Sequence, residues 1–170
     1  YPVEGIYEIN DLWDQMEEYV AFGADTGVDS GFPELDKLYR PRVGTVSVIG
    51  GISGHGKSEF VDQLMTRYAK RHGWACALFS PENFPAHEHA VEISEILLQK
   101  SHDKFAPNEM DLVKDFMQDH YSFIYPADFT IDDILERMRV SVLRKNVRAC
   151  VLDPYNMIEH KRPKDMSETE

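Results

Sequence analysis

Residues Gly51-Ile52-Ser53-Gly54-His55-Gly56-Lys57-Ser58 satisfy the phosphate-binding loop pattern G-x-x-x-x-G-K-[ST] at every fixed position. Each residue type has its chemistry at that spacing. Gly51, Gly54 and Gly56 let the backbone N–H groups of the loop, Ser53 and His55 included, close around phosphate oxygens, and a following helix would add its positive dipole end. Lys57 would reach the β and γ phosphates of a nucleoside triphosphate. Ser58 would offer its hydroxyl to Mg²⁺, a hard cation that takes oxygen ligands. His55 is a less usual choice inside such a loop, though only its backbone N–H need touch phosphate. The alternative, a glycine-rich turn before an ordinary helix, leaves Lys57-Ser58 unexplained.

Two carboxylates follow hydrophobic runs, where ligands of open parallel sheets are bound. Asp153 follows Val147-Arg-Ala-Cys-Val-Leu152 and could hold magnesium through water, or merely cap the turn that Pro154 opens. Glu82 follows Ala75-Cys-Ala-Leu-Phe-Ser80 and Pro81. It could aim a carboxylate at a water in line with a γ-phosphate, or be a surface residue opening a helix near Pro85.

The elements that must position these groups are legible in the pattern. A short β-branched run over 44–49 predicts a strand buried on both faces, feeding the loop. Phe60, Val61, Leu64, Met65 and Tyr68 recur at helical spacing over 57–72, and Gly73 is a helix stop. Further strands are expected at 75–80, 121–125 and 147–152, with helices at about 86–100, 108–119 and 130–145. Such alternation predicts an α/β fold with a parallel sheet and right-handed crossovers. Upstream, residues 22–42 read as a loop, a short helix near Leu35-Asp-Lys-Leu-Tyr39 and a turn. Ile9, Leu12, Trp13, Met16, Tyr19 and Val20 form one face of a helix, opposite Asp11, Asp14, Glu17 and Glu18. That face could pack on its own core or dock on a neighbouring subunit.

With 170 residues, 42% of them apolar, the chain is expected to fold as one globular unit. No apolar stretch approaches the ~20 residues of a membrane helix, and Tyr1-Pro-Val-Glu4 carries no signal-peptide pattern; the chain reads as excised from something longer. Cys76 and Cys150 fall in expected core strands, where they read as buried apolar residues of a reduced cytosolic protein. His87 and His89 read as a solvated helix start rather than a zinc site. A net charge of −12 opposes nucleic acid as a partner of the surface at large, and Lys161, Arg162 and Lys164 beside Glu168 and Glu170 read as a solvated loop.

Taken together, Lys57-Ser58, Ser80-Pro-Glu82-Asn83 and Leu152-Asp153 make the chain resemble the motor domain of RecA-fold ring helicases, the DnaB, Twinkle and phage primase-helicase group. The likeness is nearest on the Twinkle-like side. Thr26-Gly27-Val28, Leu35-Asp36-Lys37-Leu38, Gly44 and Glu59 add to it, and it spans roughly 6–170. It implies a linker-helix region over 1–23 and a RecA-like P-loop core over 24–170. It also implies an ATP- or other NTP-hydrolysing 5′-to-3′ replicative DNA helicase working as a hexameric ring with Mg²⁺. In that family the glutamate matching Glu82 activates the attacking water, Glu59 belongs to the nucleotide site, and the linker helix packs on the adjacent subunit. The family continues beyond its second acidic strand with a γ-phosphate sensor, DNA-binding loops for the single strand and an arginine finger. Its next strand inserts between the loop-bearing strand and the Asp153 strand. The resemblance therefore implies a polypeptide continuing past Glu170, and little turnover by the 170-residue piece alone. It fits bacterial or phage-infected cytosol, or an organelle matrix. Three other functions remain compatible with the residues: a recombinase or clock-type RecA-fold ATPase, a small-molecule kinase, and a nucleotide-binding interaction module without catalysis.

Overall fold

The computed structural model describes residues 7–23, 26–127 and 129–158, Phe22 by its backbone only. In chain order the elements are helices α1 (Ile9–Phe22), α2 (Pro33–Asp36) and α3 (Lys57–His72), strand β1 (Ala75–Phe79), α4 (Ala86–Leu98), α5 (Pro107–His120), β2 (Tyr121–Phe123), α6 (Ile131–Lys145) and β3 (Val147–Leu152). Among the described residues the sheet has three strands in the order β2-β1-β3, all parallel, as the alternating pattern predicts.

β1 is central and buried at all five positions, which is why it reads as an unbroken apolar run rather than an alternating one. Its two faces enter different cores. Ala75, Ala77 and Phe79 pack with Ile134 and Met138 of α6, whereas Cys76 and Leu78 pack with Ile93 of α4, Tyr121, and Met65 and Phe116 of α3 and α5. A shift in the β1–β3 register between Ala75 and Cys76 sends Val147 to the α6 face and Ala149 and Val151 to the other. Helices thus cover both faces of the sheet.

Three sequence expectations need correction. The run 44–49 is not a strand among the described residues: Gly44 lies in a turn, 45–49 join no ladder, and Val46 and Val48 are 93% and 90% exposed instead of buried. The reason is the absence of a neighbour among the described residues. Val43 shares one cleft with Asn146 and Arg148 at the start of β3, and Gly51 shares another with Asp153 and Pro154 beyond its end. The segment has no ladder to β3, and apolar β-branched residues cannot be buried by a strand that has no partner. Cys150 is exposed, because it lies on β3, whose outer edge is free in the described sheet; Cys76 on the central strand is buried. His89 is buried, not solvated, since α4 lays it against α3. The apolar face of α1 finds no core of its own: Ile9, Trp13, Met16, Tyr19 and Val20 are all exposed. The segments around Tyr1 and around Lys161, Arg162, Lys164, Glu168 and Glu170 lie outside the described residues.

The segment 26–43 is folded against the second half of α3. Arg71 pairs with Asp29, the His72 Nε2–H donates to the Asp29 carbonyl at 2.7 Å, and the Arg67 guanidinium sits 3.7 Å above the Phe32 ring. Asp36 locks the turn from inside. It accepts the Ser30 N–H at 2.6 Å, the Ser30 hydroxyl at 2.7 Å and the Gly31 N–H at 3.0 Å. Gly27 takes φ +74°, and a side chain there would meet the Arg40 and Pro41 carbonyl oxygens at 2.6 Å, so only glycine fits.

Candidate nucleotide site

The loop 51–56 leads into α3 through Gly56, whose φ of 76° no β-branched residue would adopt; Gly54 has the same φ and open space where a Cβ would stand. With no side-chain cap on α3, its first N–H groups are available to an anion. Lys57 curls back so that its Nζ donates to the Ile52 carbonyl at 2.9 Å. An ammonium parked on a loop oxygen can exchange it for a phosphate oxygen.

Glu82 lies in a 3₁₀ turn (Pro81–Asn83) between β1 and α4. The turn follows from the sequence: Pro81 cannot continue the β1 ladder, and Pro85 caps α4. The Tyr125 hydroxyl donates to the Ser80 carbonyl at 3.1 Å, and Phe84 meets the Tyr125 ring edge-on at 5.3 Å. Burial pushes the Tyr125 hydroxyl above its ordinary value, keeping it a donor. Asp153 is placed by its own backbone, whose N–H donates to the Phe79 carbonyl at 2.9 Å and so ties the ends of β1 and β3 together.

These elements converge on one cleft of about 1270 Å³ at the carboxyl ends of β1 and β3. Gly51, Ser53, Gly54, Gly56, Lys57, Ser58 and Glu59 line it together with Glu82 and Asp153; of the residues singled out from sequence, only His55 does not. The donor set suits a magnesium-bound triphosphate: loop amides, a helix N-terminus and an ammonium for the phosphates, and the oxygens of Ser58 and Asp153 for a hard cation. Glu82 is exposed, and its carboxylate carries neither a hydrogen bond nor an ion pair among the described residues, so it is free to engage a water. Asn83 and Asn156 also line the cleft. No role was assigned to them from sequence, although Asn156 shares the signal that marked Asp153, a place just past the carboxyl end of β3.

The chain is 32% identical over 187 aligned residues to the Twinkle homolog protein, chloroplastic/mitochondrial, of Arabidopsis thaliana. The alignment takes in 100% of this chain and 26% of the plant protein, so the chain spans about a quarter of that relative's length. No protein-family model matches the chain, and no solved structure matches it. The resemblance to the Twinkle-like, DnaB-related helicases seen in the motifs thus extends along the whole chain, and the parallel sheet with helices on both faces is a RecA-like α/β architecture.

Proposed function

We propose that this chain, a Twinkle-like sequence with a RecA-like fold, is the nucleotide-binding segment of a replicative DNA helicase motor. The observation that carries the proposal is the convergence of Lys57, Ser58, Glu82 and Asp153 on one cleft at the carboxyl ends of parallel strands. Lys57 and the loop amides hold the phosphates of ATP or another NTP. Ser58 and Asp153 are the residues that would hold Mg²⁺, which when bound neutralises charge building on the phosphate oxygens. Glu82 orients and polarises the water that attacks the γ-phosphate. Phosphoryl transfer is mostly positioning and charge stabilisation, so this division of labour uses what the side chains offer.

The proposal extends to the parts taken from the family. Residues 1–23 form a linker region and 24–170 the core of the motor. The exposed apolar face of α1 docks on the next copy in a hexameric ring. Hydrolysis drives 5′-to-3′ movement along single-stranded DNA. The plant relative is described as chloroplastic/mitochondrial, which favours an organelle matrix over a cytosolic setting for this chain. No helix among the described residues is long and apolar enough to cross a membrane.

The test is Glu82→Gln in the full-length protein. Loss of a general base should slow hydrolysis by ~10²–10⁴-fold while leaving nucleotide affinity intact. Unchanged turnover would remove Glu82 from the mechanism, whereas no turnover by the wild-type protein itself would favour a nucleotide-binding module without catalysis.

A further inference from the structure

One buried polar pair has no part in the chemistry above. Asp62 stands on α3 one turn beyond Ser58, on the same side of the helix, and His89 stands in the first turns of α4, just after the Glu82 turn. The His89 Nε2–H donates to Asp62 Oδ2 at 2.8 Å, and the two residues are 2% and 6% exposed. Phe123 meets the imidazole edge-on at 5.7 Å. The other ring nitrogen, Nδ1, is buried with no hydrogen-bond partner.

A buried pair that leaves one nitrogen unsatisfied is a poor way to gain stability, because two apolar side chains would fill the same space without that desolvation penalty. Its value lies in direction. Apolar contacts between helices tolerate sliding, whereas a hydrogen bond between two side chains fixes one register. Here it joins two helices that adjoin opposite halves of the site: α3 begins with Lys57 and Ser58, and α4 begins four residues after Glu82. Asp62 itself reaches the wall of the same cleft. The start of α4 has no side-chain cap of its own.

We propose that Asp62 and His89 are positioning residues, a buried strut that sets the spacing between the phosphate-holding end of α3 and the Glu82 turn. The proposal rests on Glu82 being the water-orienting group. A misplacement of about 1 Å costs on the order of 10²-fold in rate, so a strut of this kind acts on turnover more than on affinity.

The experiment compares variants in the full-length protein by nucleotide hydrolysis, by titration with a fluorescent ATP analogue and by thermal unfolding. Asp62→Leu with His89→Leu removes the hydrogen bond and leaves no buried polar atom behind. It should melt near wild type and bind nucleotide within about threefold, yet hydrolyse ~10- to 100-fold more slowly at unchanged KM. His89→Gln places an amide N–H where Nε2–H stood and should recover most of the rate; His89→Asn is too short to reach Asp62 and should not. A purely structural pair predicts wild-type turnover for the Leu/Leu variant, and that result overturns the proposal. If the Leu/Leu variant does not fold, equal rates for His89→Gln and His89→Asn overturn it instead. Glu82→Gln in the same assay separates the two readings. Full activity there defeats the assignment of Glu82 and the strut with it, whereas an inactive Glu82→Gln beside a fully active Leu/Leu variant defeats the strut alone.

Discussion

Replacing Lys57 by Met keeps the length of the side chain and removes its charge, and the structure sets the size of the effect. In the resting loop the ammonium is not idle: it holds the Ile52 carbonyl at 2.9 Å in a partly exposed position. Binding a triphosphate exchanges that bond for one to phosphate. A hydrogen bond between charged partners contributes ~1.5–3 kcal/mol, and the half-solvated bond to the carbonyl that is surrendered offsets ~0.5–1 kcal/mol of it. The variant should therefore bind ATP about 1–2 kcal/mol more weakly, a rise in Kd of roughly 5- to 30-fold. The assay is a titration with a fluorescent ATP analogue and Mg²⁺ at two salt concentrations, with circular dichroism to confirm the fold. ATP and ADP should both lose affinity, ADP less, while adenosine, which has no phosphate to meet Lys57, should be unaffected. The wild-type advantage should also shrink at high salt, since the site is open to solvent. A Kd for ATP within twofold of wild type would mean that Lys57 stays on Ile52 when nucleotide binds, and the phosphate reading of the loop would fail. An equal loss for adenosine would fail it differently, by showing that the substitution had collapsed the cleft.

Two further predictions concern what holds the site in place. Thr66 on α3 and Tyr121 on β2 share a buried 2.8 Å hydrogen bond, with the residues 2% and 4% exposed. Thr66→Val or Tyr121→Phe alone should cost ~1–3 kcal/mol in urea unfolding by stranding the partner, and the double substitution clearly less than the sum; strict additivity would contradict the pairing. Asp36 gives a pH dependence. Burial alone would raise its carboxyl, but the Ser30 side chain and the Ser30 and Gly31 backbone N–H groups outweigh burial and hold it below its ordinary 3.8. A carboxyl held low in the folded state stabilises the fold fully above the unfolded-state value and loses that contribution as pH falls toward the folded one. Wild type should thus lose more stability than Asp36→Asn between pH 5 and pH 3, and parallel losses would rule out the Asp36 lock.

How much of this was legible from sequence depended on whether a residue's environment is local. The phosphate loop, α3 and its Gly73 stop follow from neighbours a few residues away, and helix Lys57–His72 and strand β3 at Val147–Leu152 occur where the pattern placed them. Gly73 takes φ 66° as a helix stop should. The run 44–49 has equally good strand chemistry, yet a strand needs a partner from elsewhere, and local pattern cannot report whether one is present. Cys150 failed for the same reason, since burial on a strand depends on whether it is central or at an edge. His89 failed in the opposite sense. A polar residue at a helix start looks solvated until the helix it meets supplies an acid, and Asp62 lies far off in sequence on α3. Asn83, quoted only as part of a motif, and Asn156 carried too little chemistry of their own to be given a role before the cleft was seen.

The unpaired run before the loop bears on what holds the nucleotide site. Among the described residues the run 45–50 has no ladder, and the loop faces Glu82 and Asp153 across one cleft. Among the described residues the restraint comes from the helix behind the loop. Along α3, Asp62 bonds to His89, Thr66 to Tyr121, Arg67 covers Phe32, and Arg71 and His72 hold Asp29. That is roughly one polar or cation–π anchor per turn, reaching α4, β2 and the segment 26–43, and together they fix the helix in rotation as well as position. Lys57 and Ser58 are the first two residues of that helix, so these anchors bear directly on their placement. Nucleotide affinity should then follow the integrity of these anchors.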